Sequence, residues 1–361
     1  MYLKIYLCKH DSLYLNMKLK SLLISFLILL SHNLFSGWGF FAHKKINRLA
    51  VFTLPESELF QFYKYHIDFI GEHAVDPDKR RYAVKGEAEK HYIDIDHYIK
   101  NDEDPFLIMP KKWGEAVEKF SEDTLKKYGI SPWNIQNMLS KLTKAFQNKD
   151  LERILKYSAE LGHYIGDAHV PLHTTENYNG QLTGQKGIHG FWESRVPELF
   201  YNEYDFITGK AAYIDYPLSD TWNFVEQSFR AVDSVLKFEK QLSEEWSDDK
   251  KYAYEKRGQL TMKVYSADFS KEYSNRLNGM QERRMKASIK SIGSYWYTAW
   301  VNAGQPDLSG MYGKDHEKKR MKEIIDKENP LTDTDKVQTR LHQNYSITFF
   351  FFVSFFVALP F

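Results

Sequence analysis

Two pairs of a histidine and a carboxylate in the middle of the chain have the spacing of metal-binding side chains. His163 precedes Asp167 by four residues, and His189 precedes Glu193 by the same interval. Residues four apart lie on one face of an α-helix, so each pair could hold a metal ion from one side of a helix. The pattern therefore predicts two helical two-ligand clamps.

The residues between the clamps add another candidate ligand and suggest which metal is bound. Pro171 should end the first helix, which would let His173 turn back toward it. Neutral imidazole nitrogens and carboxylate oxygens are the ligands that zinc takes in catalytic sites, where one position is left to water. Thiolates, the usual mark of structural zinc, are missing from the pattern, because the only cysteine is Cys8, far upstream. We therefore expect a catalytic zinc site.

The segments that must position these ligands have mostly helical patterns. Apolar residues recur at the helical interval in three segments: Ile46, Leu49, Ala50 and Phe52; Leu59, Phe62, Tyr63, Ile67 and Ile70; and Leu151, Ile154, Leu155, Leu161 and Ile165. Segments 221–242 and 252–303 continue the pattern, with charged outer faces and aromatic residues for the core. Strand alternation is scarce, and no internal repeat or glycine-rich phosphate loop is found. The sequence predicts an all-α protein with a single multi-helix domain.

Composition and charge narrow the class of partner. The chain has 361 residues and a formal net charge of +1. Residues 1–37 contain four lysines and one aspartate, a net charge of +3, which leaves −2 for the rest of the chain. This composition therefore argues against a strongly basic domain that binds nucleic acid through charge alone. No obligate protein partner is indicated.

The N-terminal segment resembles a secretory signal peptide. From Met17 a basic stretch is followed by an apolar run and a short polar exit that ends at Gly37. The apolar run is too short to span a membrane, and a buried core helix is the alternative. We expect residues 1–37 to be an upstream extension plus a signal peptide, and the protein to be exported to the periplasm or the extracellular space. Cleavage after Gly37 would make Trp38 the first residue.

The C-terminal segment is divided into a charged part and an apolar part. We expect the domain to cover residues 38–310, with residues 311–345 forming a charged linker. Residues 346–361 are an apolar tail, slightly short for a membrane span. A membrane anchor, a processed sorting tail and a read-through artefact remain alternatives, so membrane association through this tail stays open. We assign the tail no catalytic role.

Three residues upstream of the clamps complete a known pattern. Asp76 and His91 lie in polar motifs, and His43 lies five residues after Trp38. Together with the two clamps, these residues resemble the superfamily of bacterial zinc-dependent phospholipase C and the single-strand-specific nucleases of the S-one and P-one type. The resemblance covers residues 38–196 by motif, and the helical remainder is compatible with it.

The resemblance implies a cleft with three zinc ions. The implied ligands are Asp76, His91, His163 and Asp167 for one ion; His173, His189 and Glu193 for a second; and Trp38, His43 and Asp167 for a third. Asp167 would bridge two ions. Trp38 would bind through its terminal amino group and its carbonyl, so removal of the signal peptide would create a ligand.

The implied chemistry is hydrolysis of a phosphodiester by a water activated between zinc ions. Asp76 would orient or deprotonate this water, and Lys79 would offer a cation to the phosphate, although Lys79 could equally belong to a solvated surface patch. Tyr92 could stack on a base or pack against a lipid headgroup, with a place in the core as the alternative. His169, Asp94, Asp96 and His97 are interpreted as polar support rather than as ligands.

The substrate is left open between phospholipid and single-stranded nucleic acid. The step from Trp38 to His43 and the cation at Lys79 resemble the nucleases, whereas Glu193 and the short loop before His189 resemble the phospholipases, which we favour slightly. The residues that hold choline in well-known phospholipases have no match at positions 41 and 77. Two other classes remain as alternatives: a zinc-stabilised helical binding module without turnover, and a membrane-associated structural protein.

Overall fold

One helix near the middle of the chain is buried on all sides over its C-terminal half, and other helices pack around it. In the computed structural model, the described residues are 39–99, 103–257, 260–313 and 316. The central helix is Leu151–Ala168, and every residue from Ser158 to Ala168 is buried. Its start is fixed by Asp150, whose side chain accepts a hydrogen bond from the backbone of Arg153. A helix that is buried all round forms the core of its domain.

Helices account for most of the regular structure of the described residues, in agreement with the predicted all-α class. In chain order they are α1 (Phe40–Val51), α2 (Glu58–Tyr65), α3 (Ile67–Glu72), α4 (Asp76–Arg80), α5 (Pro105–Ile108), α6 (Trp113–Phe120), α7 (Glu122–Lys127), α8 (Ser131–Gln147), α9 (Leu151–Ala168), α10 (Ile188–Gly190), α11 (Val196–Phe200), α12 (Pro217–Glu245), α13 (Asp248–Lys251), α14 (Ala267–Arg276) and α15 (Met280–Asn302). A π-helix, Phe191–Arg195, joins α10 to α11. Short 3-10 helices cover His73–Val75, Ala88–Lys90, Ile95–Tyr98, Pro171–Thr174, Tyr201–Glu203 and Ser309–Met311.

The first helix, α1, lies unusually close to α9. A Cβ atom added at Gly162 would lie 2.3 Å from Oδ1 of Asn47, so a larger residue could not occupy this position. The side chain of Asn47 donates a hydrogen bond of 3.0 Å to the carbonyl of Ala159. This contact fixes the rotation of α1 and turns His43, one helical turn before Asn47, toward the ligand face of α9.

The long helices α12 and α15 cover the rest of α9. The indole of Trp296 donates to the carbonyl of Ser158 and stacks on Tyr63 with ring centres 4.6 Å apart. At the C-terminal end of α9, the hydroxyl of Ser228 donates to the carbonyl of Ala168, and Arg284 donates to the carbonyl of His169. These bonds satisfy the last carbonyls of the helix and hold its end in place.

The strands of the described residues form one antiparallel hairpin, β1 (Tyr252–Arg257) and β2 (Leu260–Tyr265), in which Tyr254 lies opposite Lys263. The helical fold class predicted from the sequence is confirmed. Residues 1–37, Trp38 and the tail 346–361 lie outside the described residues, as does residue range 317–345. None of the helices that the structure describes combines the length and the apolar character of a membrane span.

Candidate metal centre

The first predicted clamp, His163 and Asp167, is formed on α9. The two side chains lie one turn apart, and Oδ2 of Asp167 is 3.2 Å from Nε2 of His163. Both side chains are completely buried. The helical spacing therefore places an imidazole nitrogen and a carboxylate oxygen side by side, as predicted.

His91 joins this clamp through the backbone of its own loop. The loop is fixed by hydrogen bonds from Ile93 to the carbonyl of His173 and from Ser131 to the carbonyl of Tyr92. Gly129 allows this approach, because it has φ of +92° and an added Cβ would lie 2.2 Å from the carbonyl oxygen of Tyr92. As a result, Nδ1 of His91 lies 2.9 Å from Oδ2 of Asp167, with Nε2 of His163 at 3.0 Å.

The short helix α4 supplies the carboxylate that completes this set. Arg80 anchors α4 on α9 by donating to Glu160 at 2.7 Å and to the hydroxyl of Tyr164 at 3.1 Å. Oδ1 of Asp78 then lies 3.6 Å from Nδ1 of His91 and 3.6 Å from Nε2 of His163. We call Asp78, His91 and His163 the His91 group.

The structure does not bring Asp76 to this group, which differs from the sequence prediction. Its carboxylate accepts hydrogen bonds from His73 at 2.6 Å and from Lys79 at 2.8 Å, and its side chain is 32% exposed. Residues two apart in a helix are rotated by about 200°, so Asp76 and Asp78 face almost opposite directions. Both aspartates belong to the Asp-Pro-Asp motif of residues 76–78, and only their different directions on α4 determine which of them reaches the group.

Lys79 also differs from its predicted place. Its ammonium group pairs with Asp76 at the surface. Lys79 does not line the pocket that opens beside His173 and His189. Arg81, two residues later, does line that pocket. Sequence reasoning missed Arg81 because the run of three basic residues gave no indication of which one faces the cleft.

His43 forms a second group with the same helix. Its Nε2 lies 3.2 Å from Oδ1 of Asp167, and its ring stacks on His163 with centres 4.0 Å apart. We call His43, His163 and Asp167 the His43 group. The predicted ligand Trp38 lies outside the described residues. The next residue, Gly39, is packed so closely that an added Cβ would lie 2.4 Å from Oγ of Ser194.

Asp167 stands between the two groups. Its Oδ1 faces His43, whereas its Oδ2 faces His91 and His163. Each oxygen therefore has a different set of imidazoles in front of it. This is the arrangement that a carboxylate shared by two metal ions requires.

The third group is His173, His189 and Glu193, which we call the Glu193 group. Nε2 of His173 lies 3.4 Å from Oε2 of Glu193, and Nε2 of His189 lies 3.2 Å from the same oxygen. Glu193 is carried by the π-helix rather than by an α-helix, a feature frequent at functional sites. The π-helix was not predicted, since nothing in the residue spacing indicates it.

The tautomers of two histidines in the Glu193 group are fixed by backbone carbonyls. Nδ1 of His173 donates to the carbonyl of His91 at 2.7 Å, and Nδ1 of His189 donates to the carbonyl of Tyr178 at 3.0 Å. In the neutral form of each ring, Nε2 therefore carries the lone pair and faces Glu193.

The buried polar atoms of all three groups test whether metal ions fit. Among the described residues, the following buried atoms of these groups have no hydrogen-bond partner: both nitrogens of His43, both oxygens of Asp78, Nε2 of His91, Nδ1 of His163, Oδ1 of Asp167, Nε2 of His173 and both oxygens of Glu193. Burying carboxylates without partners is costly unless a cation neutralises them. The donor set is the imidazole and carboxylate mix of catalytic zinc, so the residues fit this metal.

The pKa values of the imidazoles follow from burial and from the two aspartates. Burial lowers the pKa of His43 and lowers that of His91 to about 4, so both are neutral and carry a free lone pair. Burial also acts to lower the pKa of His163, but the charges of Asp167 and Asp78 outweigh it and raise this pKa to about 9. The pKa of Asp167 is far below its usual range despite burial, because His163 and His173 stabilise its charge. The negative charge of the site thus attracts a proton or a metal ion.

A pocket of about 370 Å³ opens beside the Glu193 group, whose histidines His173 and His189 line it. The lining also includes Arg81, Tyr82, Tyr92, Asp94 and Tyr178. Tyr92, predicted to contact substrate, is therefore at the pocket, with its hydroxyl donating to the carbonyl of Lys127 at 3.2 Å. Asp94, which the sequence indicates only as polar support for its loop, also lines the pocket.

The other polar residues of these motifs lie apart from the three groups. His169 donates through Nδ1 to the carbonyl of Ile165 and stacks on Phe224. Asp96 accepts hydrogen bonds from Thr175 and from the backbone of Glu176. His97 stacks on Tyr128 and lies 3.5 Å from Glu176. Their structural roles agree with the sequence interpretation.

Comparison with known proteins places these groups in a wider context. Residues 42–256 match the model of a protein family described as zinc dependent phospholipase C. Among solved structures, the alpha-toxin of Clostridium perfringens from avian strain SWCP is similar, with 12% sequence identity and a TM-score of 0.39. The match covers 75% of this chain and 65% of that structure, so the chain spans less than two thirds of its length. Among curated proteins no match is found.

Proposed function

Because the chain belongs to the zinc-dependent phospholipase C family, we propose that it is a zinc-dependent hydrolase that cleaves the phosphodiester bond of phospholipids. The resemblance inferred from the sequence is thereby confirmed at the level of the family. The observation that carries the proposal is the convergence of unpaired, buried imidazole and carboxylate atoms in three groups, of which the Glu193 group borders a pocket.

We propose that the three groups hold three zinc ions. Asp78, His91 and His163 would hold one ion with Asp167, and the Glu193 group would hold a second. His43 and Asp167 would hold the third together with the amino group and carbonyl of Trp38. Bound zinc supplies Lewis-acid stabilisation of phosphoryl charge and a nucleophile at neutral pH.

The protein's own side chains orient this chemistry. The backbone carbonyls of His91 and Tyr178 hold the protons of His173 and His189 on Nδ1, so both rings present Nε2 to the centre. The two oxygens of Asp167 serve different groups and fix their separation. Arg81 lines the pocket and would bind a phosphate oxygen through its guanidinium group. It takes the role that the sequence suggested for Lys79.

A second candidate function is cleavage of single-stranded nucleic acid. The pocket is lined by Tyr82, Tyr92 and Tyr178, and aromatic rings can stack on bases regardless of sequence. Asp94 at the same pocket could accept a hydrogen bond from a base. A non-catalytic zinc-binding module is the alternative from another class.

We also propose that the protein is exported and that Trp38 becomes its first residue. The signal-like N-terminal sequence supports export. The close packing of Gly39 on Ser194 bears only on the place of the chain end, because it puts the start of α1 beside the residue that follows Glu193. A chain end at Trp38 would then be near the metal groups.

The decisive experiment is a substrate comparison with zinc-loaded mature protein. Phosphatidylcholine, phosphatidylinositol, single-stranded DNA and RNA are incubated in parallel, with a chelator and the Asp78→Asn variant as controls. Diacylglycerol formed only by the untreated protein supports the lipid hydrolase. Nucleotide products without diacylglycerol support the nuclease. Full zinc content with no product from any substrate supports the binding module.

A further inference from the structure

Two loops at the mouth of the pocket expose apolar side chains to solvent. These mouth loops are residues 81–86, which contribute Arg81 and Tyr82 to the pocket, and residues 177–187, which contribute Tyr178. Their exposed apolar side chains are Tyr82 (68% exposed), Val84 (48%), Tyr178 (52%) and Leu182 (71%). Single exposed apolar residues are common, but here four lie on two loops that border the same opening.

The charged residues of the mouth loops all have the same sign. They are Arg81, Lys85 and Lys186. The acidic neighbours of the first loop are Glu87, which is buried and pairs with Arg80 and Lys90, and Glu89. The acidic neighbour of the second loop is Glu176, whose carboxylate lies 3.5 Å from Nδ1 of His97. Apolar tips on loops that themselves carry three cations and no acidic residue are complementary to anionic lipid headgroups above an acyl layer.

The second mouth loop is held in a defined shape that keeps its apolar tip outside. Leu182 donates from its backbone to Oδ1 of Asn177 at 2.9 Å, and Gln185 donates to the carbonyl of Gly180 at 2.9 Å. The loop is also attached to the metal centre, because the carbonyl of Tyr178 accepts the proton of His189. Leu182 therefore projects from a fixed part of the pocket rim.

We propose that the mouth loops dock on a phospholipid bilayer that contains anionic lipid. The apolar tips of Val84 and Leu182 enter the boundary between headgroups and acyl chains, and Lys85 and Lys186 contact lipid phosphates. Docking in this orientation places the pocket opening against the surface from which the substrate is taken. The inference rests on the proposed function only in taking a phospholipid as the substrate.

The test compares two double variants of the full-length chain. Val84→Ser with Leu182→Ser removes two apolar tips from the mouth loops. Leu107→Ser with Ile207→Ser is the matched control, because these side chains are 87% and 83% exposed and do not line the pocket. Both variants keep residues 346–361, so any membrane binding by the tail is common to them.

Two readouts separate docking from catalysis. Binding is measured by co-sedimentation with vesicles of phosphatidylcholine and phosphatidylglycerol in equal parts, and turnover is measured on these vesicles and on a short-chain phosphatidylcholine kept monomeric. We expect the mouth-loop variant to bind vesicles at least about tenfold more weakly and to lose vesicle turnover to a similar extent. Its turnover of the monomeric lipid and its zinc content should be unchanged, and the control variant should match the parent.

The outcomes distinguish this inference from the proposed function. Equal vesicle binding by the parent and the mouth-loop variant overturns the docking surface, whatever the turnover. Weaker binding to single-stranded DNA with unchanged vesicle binding also overturns it and indicates a nucleic-acid surface. A loss of vesicle binding supports docking even when the parent hydrolyses no monomeric lipid, and in that case only the proposed hydrolase fails.

Discussion

Oδ1 of Asp78 lies 3.6 Å from Nδ1 of His91, and both side chains are completely buried. Neither oxygen of Asp78 has a hydrogen-bond partner. An unpaired buried carboxylate beside imidazole nitrogens is stabilised by a cation, so we interpret Asp78 as a metal ligand.

This relationship predicts different effects for two neighbouring aspartates. Asp78→Asn removes a charge from the His91 group and should lower zinc affinity and turnover by more than about 100-fold. Asp76→Asn is the control: it weakens surface pairs with His73 and Lys79 and should change either quantity by less than about threefold. Zinc content after dialysis and turnover are measured for both. Equal zinc loss in the two variants would contradict the assignment.

Replacing Asp167 should weaken the binding of two metal ions at once. Asp167→Asn removes the charge that both the His43 group and the His91 group share, so we expect loss of more than one zinc ion and no detectable turnover. His97→Ala is the control, since His97 stacks on Tyr128 away from the three groups. Elemental analysis of zinc per chain checks the prediction, and loss of a single ion by the Asp167 variant would show that the carboxylate is not shared.

Arg81, which lines the pocket, should contribute to substrate binding, whereas the nearby Lys79 should not. Arg81→Gln removes a guanidinium at the pocket and should raise KM for a phosphodiester by about 10- to 100-fold, the loss of one hydrogen bond to a charged group. Lys79→Gln only breaks the surface pair with Asp76, so its KM should stay close to that of the parent. Steady-state kinetics on one substrate decides, and a larger effect at Lys79 would restore the original assignment.

The sequence allowed the α-helical clamp of His163 and Asp167 to be predicted because its geometry is local. The spacing of His163 and Asp167 determines their relative position as soon as the segment is helical. His91 and His43 could be proposed only through the resemblance, since their approach depends on distant close contacts at Gly129 and Gly162.

Two features of the site could not be predicted because they depend on tertiary contacts. Asp78 rather than Asp76 faces the centre because Arg80 docks α4 on Glu160. The carbonyl of Tyr178 reaches His189 only after the loop 177–187 has folded. Spacing alone describes neither rotation of a short helix nor a long-range backbone contact.

The N-terminal amine is expected to act as a ligand of the third zinc ion. A mature protein that begins at Trp38 should bind three zinc ions per chain, and the same protein with Met added before Trp38 should bind two, because the added peptide bond removes the free amine. Elemental analysis of both proteins gives the answer. Three ions in the extended protein would exclude the terminal amine from the site.

Asp94 should make the stability of the metal-free protein depend on pH. Burial, together with the nearby charges of Asp96 and Glu176, raises the pKa of Asp94 from 3.8 to about 7. Between these values the folded state holds a proton that the unfolded state has lost, so stability falls as pH rises from 3.8 to 7, and the full cost remains above 7. Asp94→Asn cannot become charged and should therefore be more stable than the parent at alkaline pH, by up to about 4 kcal/mol.

The measurement is denaturant unfolding of both proteins after a chelator has removed metal. It is made above pH 7 and again near pH 3.8, the ordinary pKa of an aspartate. The advantage of Asp94→Asn should shrink as the pH falls, because the parent aspartate then becomes neutral in both states. Asp233→Asn, on the exposed side of α12, is the charge-matched control and should show no such trend. An unfolding midpoint for Asp94→Asn that equals the parent's at alkaline pH would mean that Asp94 is ionised in the folded protein without cost, and the pocket would then carry a stable negative charge beside His173.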